Sequence, residues 1–223
     1  MKREVDMKEI SDGRLYGLND MIRVGCNDCE GCSACCQGMG DSVKLDPLDI
    51  YRLCKHLNCG FEELMQDRIE LNVVDGVILP NLKMAEPKER CSFLNKEGRC
   101  SIHAARPGIC RLFPLGRFYE EDGFKYFLQV HECPKENKTK VKVKHWIDIP
   151  DIKENEKYIL TWHRFLKEIE AFVEGGATEV QVKQISLYVL QQFFMTPYDM
   201  EADFYPQFFE RMEKTRKALG MEE

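Results

Sequence analysis

Apolar residues recur with helical spacing in the middle and at the end of the chain, next to residues that commonly begin or end helices. Asp46 followed by Pro47 is typical of a helix start, and the apolar positions after it predict a helix to about Leu57. Gly60 interrupts this pattern, which resumes over residues 61–71 and predicts a second helix there.

Three further helices are predicted near the C-terminus. An apolar stripe over residues 162–173 predicts one that ends at the pair of glycines that follows it. Thr178 with Gln181 forms a capping-box pattern, which predicts the next helix as far as about Met195. The last predicted helix covers residues 205–219.

Alternating apolar and polar residues predict two strands, over residues 124–130 and 140–144. The polar side of the second strand consists of Lys140, Lys142 and Lys144. Such a face could contact an acidic partner or a nucleic acid, but lysines also protect an exposed edge strand, and we favour that explanation. Five helices against two strands predict an α+β fold that is mainly α and irregular.

Composition and charge narrow the class of protein. The chain has 223 residues, of which 43% are hydrophobic and 31% charged, so it can bury a core of ordinary size. Its net charge of −6 argues against nucleic acid as a partner. No apolar stretch is long enough for a membrane helix, and the first ten residues lack the apolar core of a signal peptide. We therefore expect a cytoplasmic protein.

The cysteine content does not fit an ordinary cytoplasmic protein. Seven of the 11 cysteines lie between Cys26 and Cys59, and the other four between Cys91 and Cys133. Disulfides are disfavoured in a reducing compartment, and an odd number cannot pair completely, so metal binding is the leading interpretation. We expect a metal-binding domain with a metal-organised, cysteine-rich core over residues 1–145. The remaining residues, 146–223, are expected to form a helical extension packed on it.

The first cysteine cluster runs from Cys26 to Cys36 and repeats the C-x2-C spacing three times before it ends in the vicinal pair Cys35 and Cys36. A C-x2-C turn brings two thiolates onto one metal and leaves its backbone amides free to donate hydrogen bonds to sulfur. The loop is rich in Gly, Ser, Asn and Asp, which argues against the alternative that these cysteines are simply buried in a core.

The second cluster has wider spacing and contains Cys91, Cys100 and Cys110, followed by Cys133. Residues 95–98 have the composition of a turn, which would fold Cys91 back beside Cys100. Together the two clusters supply eight candidate thiols, and these are Cys29, Cys32, Cys35, Cys36, Cys91, Cys100, Cys110 and Cys133.

Both clusters resemble one known family. The run Cys29 to Cys36 matches the C-x2-C-x2-C-C signature of the CxxCxxCC family of zinc- or iron-chelating domains. The stretch CSFLNKEGRCSIHAARPGICRLFP, residues 91–114, resembles the second block of that family. The resemblance covers about residues 25–135 and implies that the eight thiols are the metal ligands. Cys26 lies outside the signature.

Two kinds of metal centre are compatible with these cysteines. Eight thiolates could hold two zinc ions with four ligands each. The C-x2-C-x2-C spacing with a distant Cys133-Pro134 is also similar to the ligation of iron–sulfur clusters in bacterial ferredoxins, which favours iron, held for example as a [4Fe–4S] cluster.

Charged and polar residues of the second cluster are expected to support the ligands. Arg90, Arg99, Arg106 and Arg111 can offset thiolate charge through hydrogen bonds. His103 has ligand spacing from Cys100, but the family commonly has Tyr or His there, so we expect His103 to contact a ligand instead of the metal. Pro107 biases Arg106 toward an extended backbone.

The remaining cysteines and the function are less constrained. Cys54 lies on the apolar face of its helix and is expected in the core, while Cys59 stays undecided. The sequence predicts a metal-binding protein of unassigned activity, with a protein partner as one use of its surface. The alternative is an enzyme, because a similar cysteine cluster occurs in flagellin lysine N-methylases, which are associated with an iron–sulfur cluster and S-adenosylmethionine.

Aromatic residues of the C-terminal segment bear on that alternative. They could wall a small-molecule pocket, although an aromatic helical stripe more often forms plain core. The residues concerned are Trp162, Phe165, Phe172, Tyr188, Phe193, Phe194 and Phe204.

Overall fold

The computed structural model describes residues 6–27, 32–86 and 89–221 of the chain. Within them the α-helices are α1 (Met7–Ile10), α2 (Pro47–Leu57), α3 (Phe61–Asp67), α4 (Gly108–Leu112), α5 (Val143–Ile147), α6 (Ile152–Glu174), α7 (Glu179–Leu190) and α8 (Phe204–Ala218). The strands are β1 (Met21–Gly25), β2 (Ile69–Val74), β3 (Val77–Leu82), β4 (Met84–Ala85), β5 (Arg90–Cys91), β6 (Leu115–Glu120), β7 (Gly123–Leu128) and β8 (Thr139–Lys142). Helices cover 44% and strands 21%, which confirms a mixed α+β fold that is mainly helical.

Contacts divide the chain into two compact units. Unit 1 comprises Met1–Gly40 and Met84–Asn155, and unit 2 comprises Asp41–Lys83 and Glu156–Glu223. The predicted division after residue 145 follows cysteine content and differs from this division by contacts, which groups the segment Asp41–Lys83 with the C-terminal helices.

The core of unit 1 lies under two antiparallel strand pairs, β1 with β8 and β6 with β7. Ile22 and Val24 of β1 point into this core, together with Tyr126 of β7. The outward positions of the first pair are polar or exposed, and Arg23 lies directly opposite Lys140 across it. The alternation of inward apolar and outward charged residues explains why this segment forms strands.

Three predicted elements end earlier in the structure than the sequence pattern indicated. The strand predicted over 140–144 was wrong at its end, because β8 stops at Lys142 and Val143 begins α5. Val143 and Ile147 are four residues apart, and their helical spacing lets both contact the core of unit 1. The strand predicted over 124–130 exists as β7, which also ends two residues early, at Leu128.

The helix predicted over residues 61–71 also ends early. Helix α3 stops at Asp67, and Ile69 instead begins β2, which pairs with β3. Asp75 and Gly76 connect the two strands, and both have positive φ angles, 51° and 85°. An Asp-Gly pair between apolar runs favours a two-residue hairpin, and this signal was missed in the sequence.

The other helical predictions are confirmed in unit 2. Asp46 caps α2 through a capping box with Asp49, and Thr178 caps α7 through one with Gln181. A π-helical turn over Gln191–Met195 continues α7 to the predicted end. Helices α6 and α8 include the two remaining predicted segments, apart from the last residue of the second.

Aromatic side chains fill the core of unit 2. The rings of Trp162 and Phe193 meet edge to face with their centroids 5.0 Å apart, and those of Tyr158 and Phe208 meet at 4.5 Å. Phe165, Phe193 and Phe208 are completely buried, whereas Phe172 is 41% exposed. Most of the aromatic stripe is therefore core, as its helical spacing favoured. Within the described residues, no helix has both the length and the apolar character needed to cross a membrane.

Candidate metal centre

The vicinal cysteines lie on a short turn of unit 1. A single 3-10 turn, Ala34–Cys36, carries both Cys35 and Cys36, and its last residue donates a backbone hydrogen bond of 3.0 Å to the carbonyl of Ser33. The tight turn holds the two thiols next to each other. Cys29, the first residue of the predicted signature, lies outside the described residues.

A backbone contact joins the first cysteine segment to the second. Gln37 pairs with Arg90 in an antiparallel bridge, and the N–H of Gly38 donates a 2.9 Å hydrogen bond to the carbonyl of Glu89. Because Cys36 precedes Gln37 and Cys91 follows Arg90, the antiparallel bridge places the two cysteines at the same side of the pairing. The bridge spans more than fifty residues of sequence.

The chain between Cys91 and Cys100 turns back on itself, which confirms the predicted turn. The N–H of Gly98 donates to the carbonyl of Asn95 at 3.1 Å, and the N–H of Arg99 donates to the Asn95 side-chain oxygen at 2.7 Å. Gly98 has a φ of 73°, a conformation that favours glycine. The turn ends with a bridge between Leu94 and Cys100.

The segment that leads to Cys110 is held by proline. Arg106 is extended, with φ −54° and ψ 144°, as the following Pro107 favours, and α4 begins directly after Pro107. Cys110 and Arg111 both belong to this short helix.

Electrostatic interactions show that thiols of the two segments lie close together. The Cys36 thiol donates a hydrogen bond to Cys35, and this bond lowers the pKa of Cys35 to about 7, although burial acts in the opposite direction. The same bond raises the pKa of Cys36, and burial and the negative charges of Cys35, Cys91 and Cys110 raise it further. Burial raises the pKa of Cys100, where the charge of Cys35 also contributes.

Charge interactions therefore link five of the eight predicted ligands in unit 1, with Cys36 acting on three of them and Cys35 on Cys100. They are Cys35, Cys36, Cys91, Cys100 and Cys110. Cys32 and Cys133 are half-buried thiols of the same unit, and only their spacing in the sequence assigns them to the site.

Backbone amides and arginines face these sulfurs. The N–H of Ile102 donates to the sulfur of Cys100, and Cys35 receives a hydrogen bond from its own backbone amide. The positive charge of Arg106 acts on both of these cysteines, and that of Arg99 acts on Cys100. Each of these interactions stabilises the thiolate, which is the form that binds metals.

His103 and Arg111 were predicted to support the ligands, and the contacts shown for them are with Arg106 and with backbone carbonyls. The guanidinium of Arg106 contacts the ring nitrogen Nε2 of His103. Arg111 is buried, and its guanidinium donates to the carbonyl oxygens of Arg106 at 3.2 Å, of Asp148 at 3.1 Å and of Ala104. Arg111 therefore ties the segment before α4 to the loop after α5.

The donors fit zinc or iron in their chemistry. The neighbouring groups are soft sulfur ligands with hydrogen bonds to sulfur and nearby cations, the surroundings that thiolate-bound zinc and iron–sulfur clusters share. Across residues 6–27, 32–86 and 89–221, no group of three or more His, Cys, Asp or Glu side chains is arranged as the ligands of one ion.

The structure also shows a second thiol contact that sequence reasoning missed. Cys54 is buried, as predicted, and its thiol donates a hydrogen bond to the sulfur of Cys59. Cys59 follows the end of α2 by two residues, so an end-of-helix turn was the available signal.

Comparison with known proteins identifies the cysteine-rich segment. Residues 28–145 match the family model CxxCxxCC, described as "Putative zinc- or iron-chelating domain". The match covers more than half of the 223 residues and includes all eight predicted ligands. No curated protein and no solved structure matches the chain.

Proposed function

Because the chain belongs to the CxxCxxCC family of zinc- or iron-chelating domains, we propose that unit 1 chelates one of these metals with thiolates from both cysteine segments. The observation that carries the proposal is the position of Cys36. Its sulfur is within electrostatic reach of Cys91 and Cys110, which come from the other segment of the chain. Charge interactions between thiols so far apart in the sequence support a ligand set drawn from both segments.

The proposed ligands are the five neighbouring thiols together with Cys29, Cys32 and Cys133. The thiols of Cys35 and Cys36 hydrogen-bond each other, so the pair could bind one metal atom or bridge to a second one beside it. Both an iron–sulfur cluster and a pair of zinc sites contain two or more metal atoms. Arg99 and Arg106 would offset the excess negative charge of the thiolates.

Of the two metals, we favour iron in an iron–sulfur cluster. The support is the C-x2-C-x2-C spacing and the distant Cys133-Pro134, which resemble ferredoxin ligation. When bound, a cluster would supply electron transfer or an iron site for a small ligand, whereas zinc held by four thiolates would be structural.

One experiment tests both whether the protein binds metal and which metal it binds. The protein is purified without oxygen, and zinc, iron and acid-labile sulfide are measured per chain. Brown protein with iron and sulfide in nearly equal amounts supports the cluster. Colourless protein with about two zinc ions per chain supports paired thiolate sites and removes the cluster. Retention of neither metal would contradict chelation itself.

Variants identify the ligands. Cys36→Ala and Cys110→Ala should lose metal and destabilise unit 1, since metal binding and folding are coupled in sites of this kind. The matched control is Cys54→Ala, which removes a buried thiol of unit 2 and should leave the metal content unchanged. Full metal content in both ligand variants would show that the site lies elsewhere.

Lysine N-methylation with S-adenosylmethionine stays a prediction from the resemblance. Calorimetric titration of the anaerobic, metal-loaded protein with S-adenosylmethionine tests it. Absence of heat and of any shift in melting temperature at millimolar ligand would remove this alternative and leave a metal-binding module.

A further inference from the structure

Unit 2 has a thiol pair of its own. Cys54 and Cys59 are the cysteines of this unit, and both are free thiols in the structure. They lie outside the set of eight predicted metal ligands. Their contact arises from the way in which α2 ends.

The end of α2 folds the chain back over its last turn. Asn58 is left-handed, with φ 52° and ψ 49°, and its N–H donates to the carbonyl of Cys54. The N–H of Cys59 donates to the same carbonyl at 3.1 Å. A 6→1 hydrogen bond after a left-handed residue is the mark of a Schellman motif, which puts the side chains of its first and last residues in contact. Here those residues are Cys54 and Cys59.

The hydrogen bond from the Cys59 N–H to the Cys54 carbonyl holds the two backbones close together, as a disulfide requires. Disulfides span α-carbon distances of about 4.4–6.8 Å. In addition, the Cys54 thiol already donates a hydrogen bond to the sulfur of Cys59, so the two sulfurs face each other.

The surroundings of the pair favour protonated thiols. Cys54 is buried, while Cys59 is partly exposed. The carboxylate of Glu63 lies near Cys59 and accepts a 2.7 Å hydrogen bond from the N–H of Gly60. Its negative charge and burial favour the protonated thiol, which is the less reactive form.

We propose that Cys54 and Cys59 are a redox modification site, at which a small-molecule disulfide converts the thiol pair into a reversible disulfide. The partly exposed Cys59 reacts first: its thiolate attacks the small disulfide, forms a mixed disulfide and releases one small thiol. The Cys54 thiolate then attacks the sulfur of Cys59 and releases the second small thiol. Two protein thiols are oxidised, one small disulfide is reduced to two thiols, and the proton of each cysteine passes to a leaving thiolate.

The product closes a short loop around the end of α2. It covalently fixes the left-handed turn at Asn58, and therefore the point at which α3 begins after Gly60. A small thiol in excess reverses the reaction. The site would respond to thiol oxidation without using any proposed metal ligand.

Peptide mapping offers a specific test. The anaerobic, metal-loaded protein is incubated with oxidised glutathione, then acidified, denatured, alkylated and digested with trypsin. Cleavage after Arg52, Lys55 and Arg68 puts Cys54 in peptide 53–55 and Cys59 in peptide 56–68. We expect these two peptides joined by a disulfide, and their separation after reduction. Glutathione that remains on Cys59, or a disulfide from either cysteine to a unit 1 cysteine, would overturn the proposal.

Three variants separate the effect of the turn geometry from the intrinsic reactivity of the thiols. Cys59→Ala should retain an alkylatable Cys54 and give no joined peptide. Asn58→Gly keeps the left-handed turn and should form the disulfide, whereas Asn58→Val disfavours this turn and should form it several-fold more slowly. Circular dichroism of each variant verifies that it is folded. Equal rates in the two Asn58 variants would contradict the role of the turn.

Discussion

The hydroxyl of Tyr158 accepts a 3.1 Å hydrogen bond from the backbone N–H of Leu48 and so ties α6 to the first turn of α2. Both ends of the contact are buried, because Tyr158 is fully buried and Leu48 is 4% exposed. The first N–H groups of a helix have no partner within the helix, so one of them has found a tyrosine of another element.

Tyr158→Phe should therefore destabilise unit 2 by about 1–3 kcal/mol, because the ring stays in place while a buried N–H loses its acceptor. Urea unfolding of the metal-loaded protein measures the effect. Tyr188→Phe, a partly buried tyrosine of α7, is the control and should change the free energy of unfolding by less than about 0.5 kcal/mol. Equal effects of the two substitutions would show that the hydrogen bond contributes nothing specific.

Arg111→Lys should destabilise unit 1 by about 2–3 kcal/mol, since a lysine cannot reach the three carbonyl groups that the guanidinium joins. Thermal unfolding with and without bound metal measures the loss. The control is Arg117→Lys on β6, which leaves the segment before α4 intact and should have a smaller effect. If Arg111→Lys melts like the wild type, this arginine does not tie the two segments together.

Arg23 and Lys140 are exposed and directly opposite each other on β1 and β8. Like charges in this position destabilise a strand pair, so Arg23→Glu should stabilise unit 1 by about 0.2–1 kcal/mol. The gain should shrink in high salt, which screens exposed charges. Arg23→Gln only removes the repulsion and should give a smaller gain. A loss of stability in Arg23→Glu would mean that Arg23 makes a favourable interaction with a group other than Lys140.

Local chemistry explains which parts of the fold the sequence predicted. Helix starts at Asp46 and Thr178 were predictable because a cap forms from residues three apart in the chain. The β2–β3 hairpin was missed because Ile69 and Leu71 also fit the helical spacing of the preceding segment, and pairing with β3 decided the outcome. The Asp75-Gly76 turn was the only local sign of that pairing.

The same distinction between local and long-range signals applies to the candidate site. Its residue types and spacing are local, and they sufficed to name eight thiols. Which thiols become neighbours depends on the bridge between Gln37 and Arg90, a pairing of distant segments whose register no short pattern specifies. The contact between Cys54 and Cys59 depends on a left-handed Asn58, a conformation that asparagine tolerates but does not require.

The buried Cys54 thiol leads to a prediction about how the free energy of unfolding depends on pH. Burial, the neighbouring Cys59 and Glu63 raise the pKa of Cys54 to about 12. The unfolded chain therefore loses this proton at a lower pH than the folded chain does. The stabilisation is complete below the unfolded pKa, near 9, and is lost as the pH rises toward 12.

The free energy of unfolding should consequently fall more steeply above pH 9 in the wild type than in Cys54→Ala, which has no thiol to titrate at this position. Urea unfolding at several pH values between 8 and about 10.5 measures the two slopes. Groups that do not contact Cys54 contribute equally to both proteins and cancel in the comparison, whereas Cys59 loses the Cys54 hydrogen bond in the variant, so Cys59→Ala is measured alongside to separate its share. The same slope in both would mean that the Cys54 thiol ionises as readily in the folded protein as in the unfolded chain, and would contradict its raised pKa.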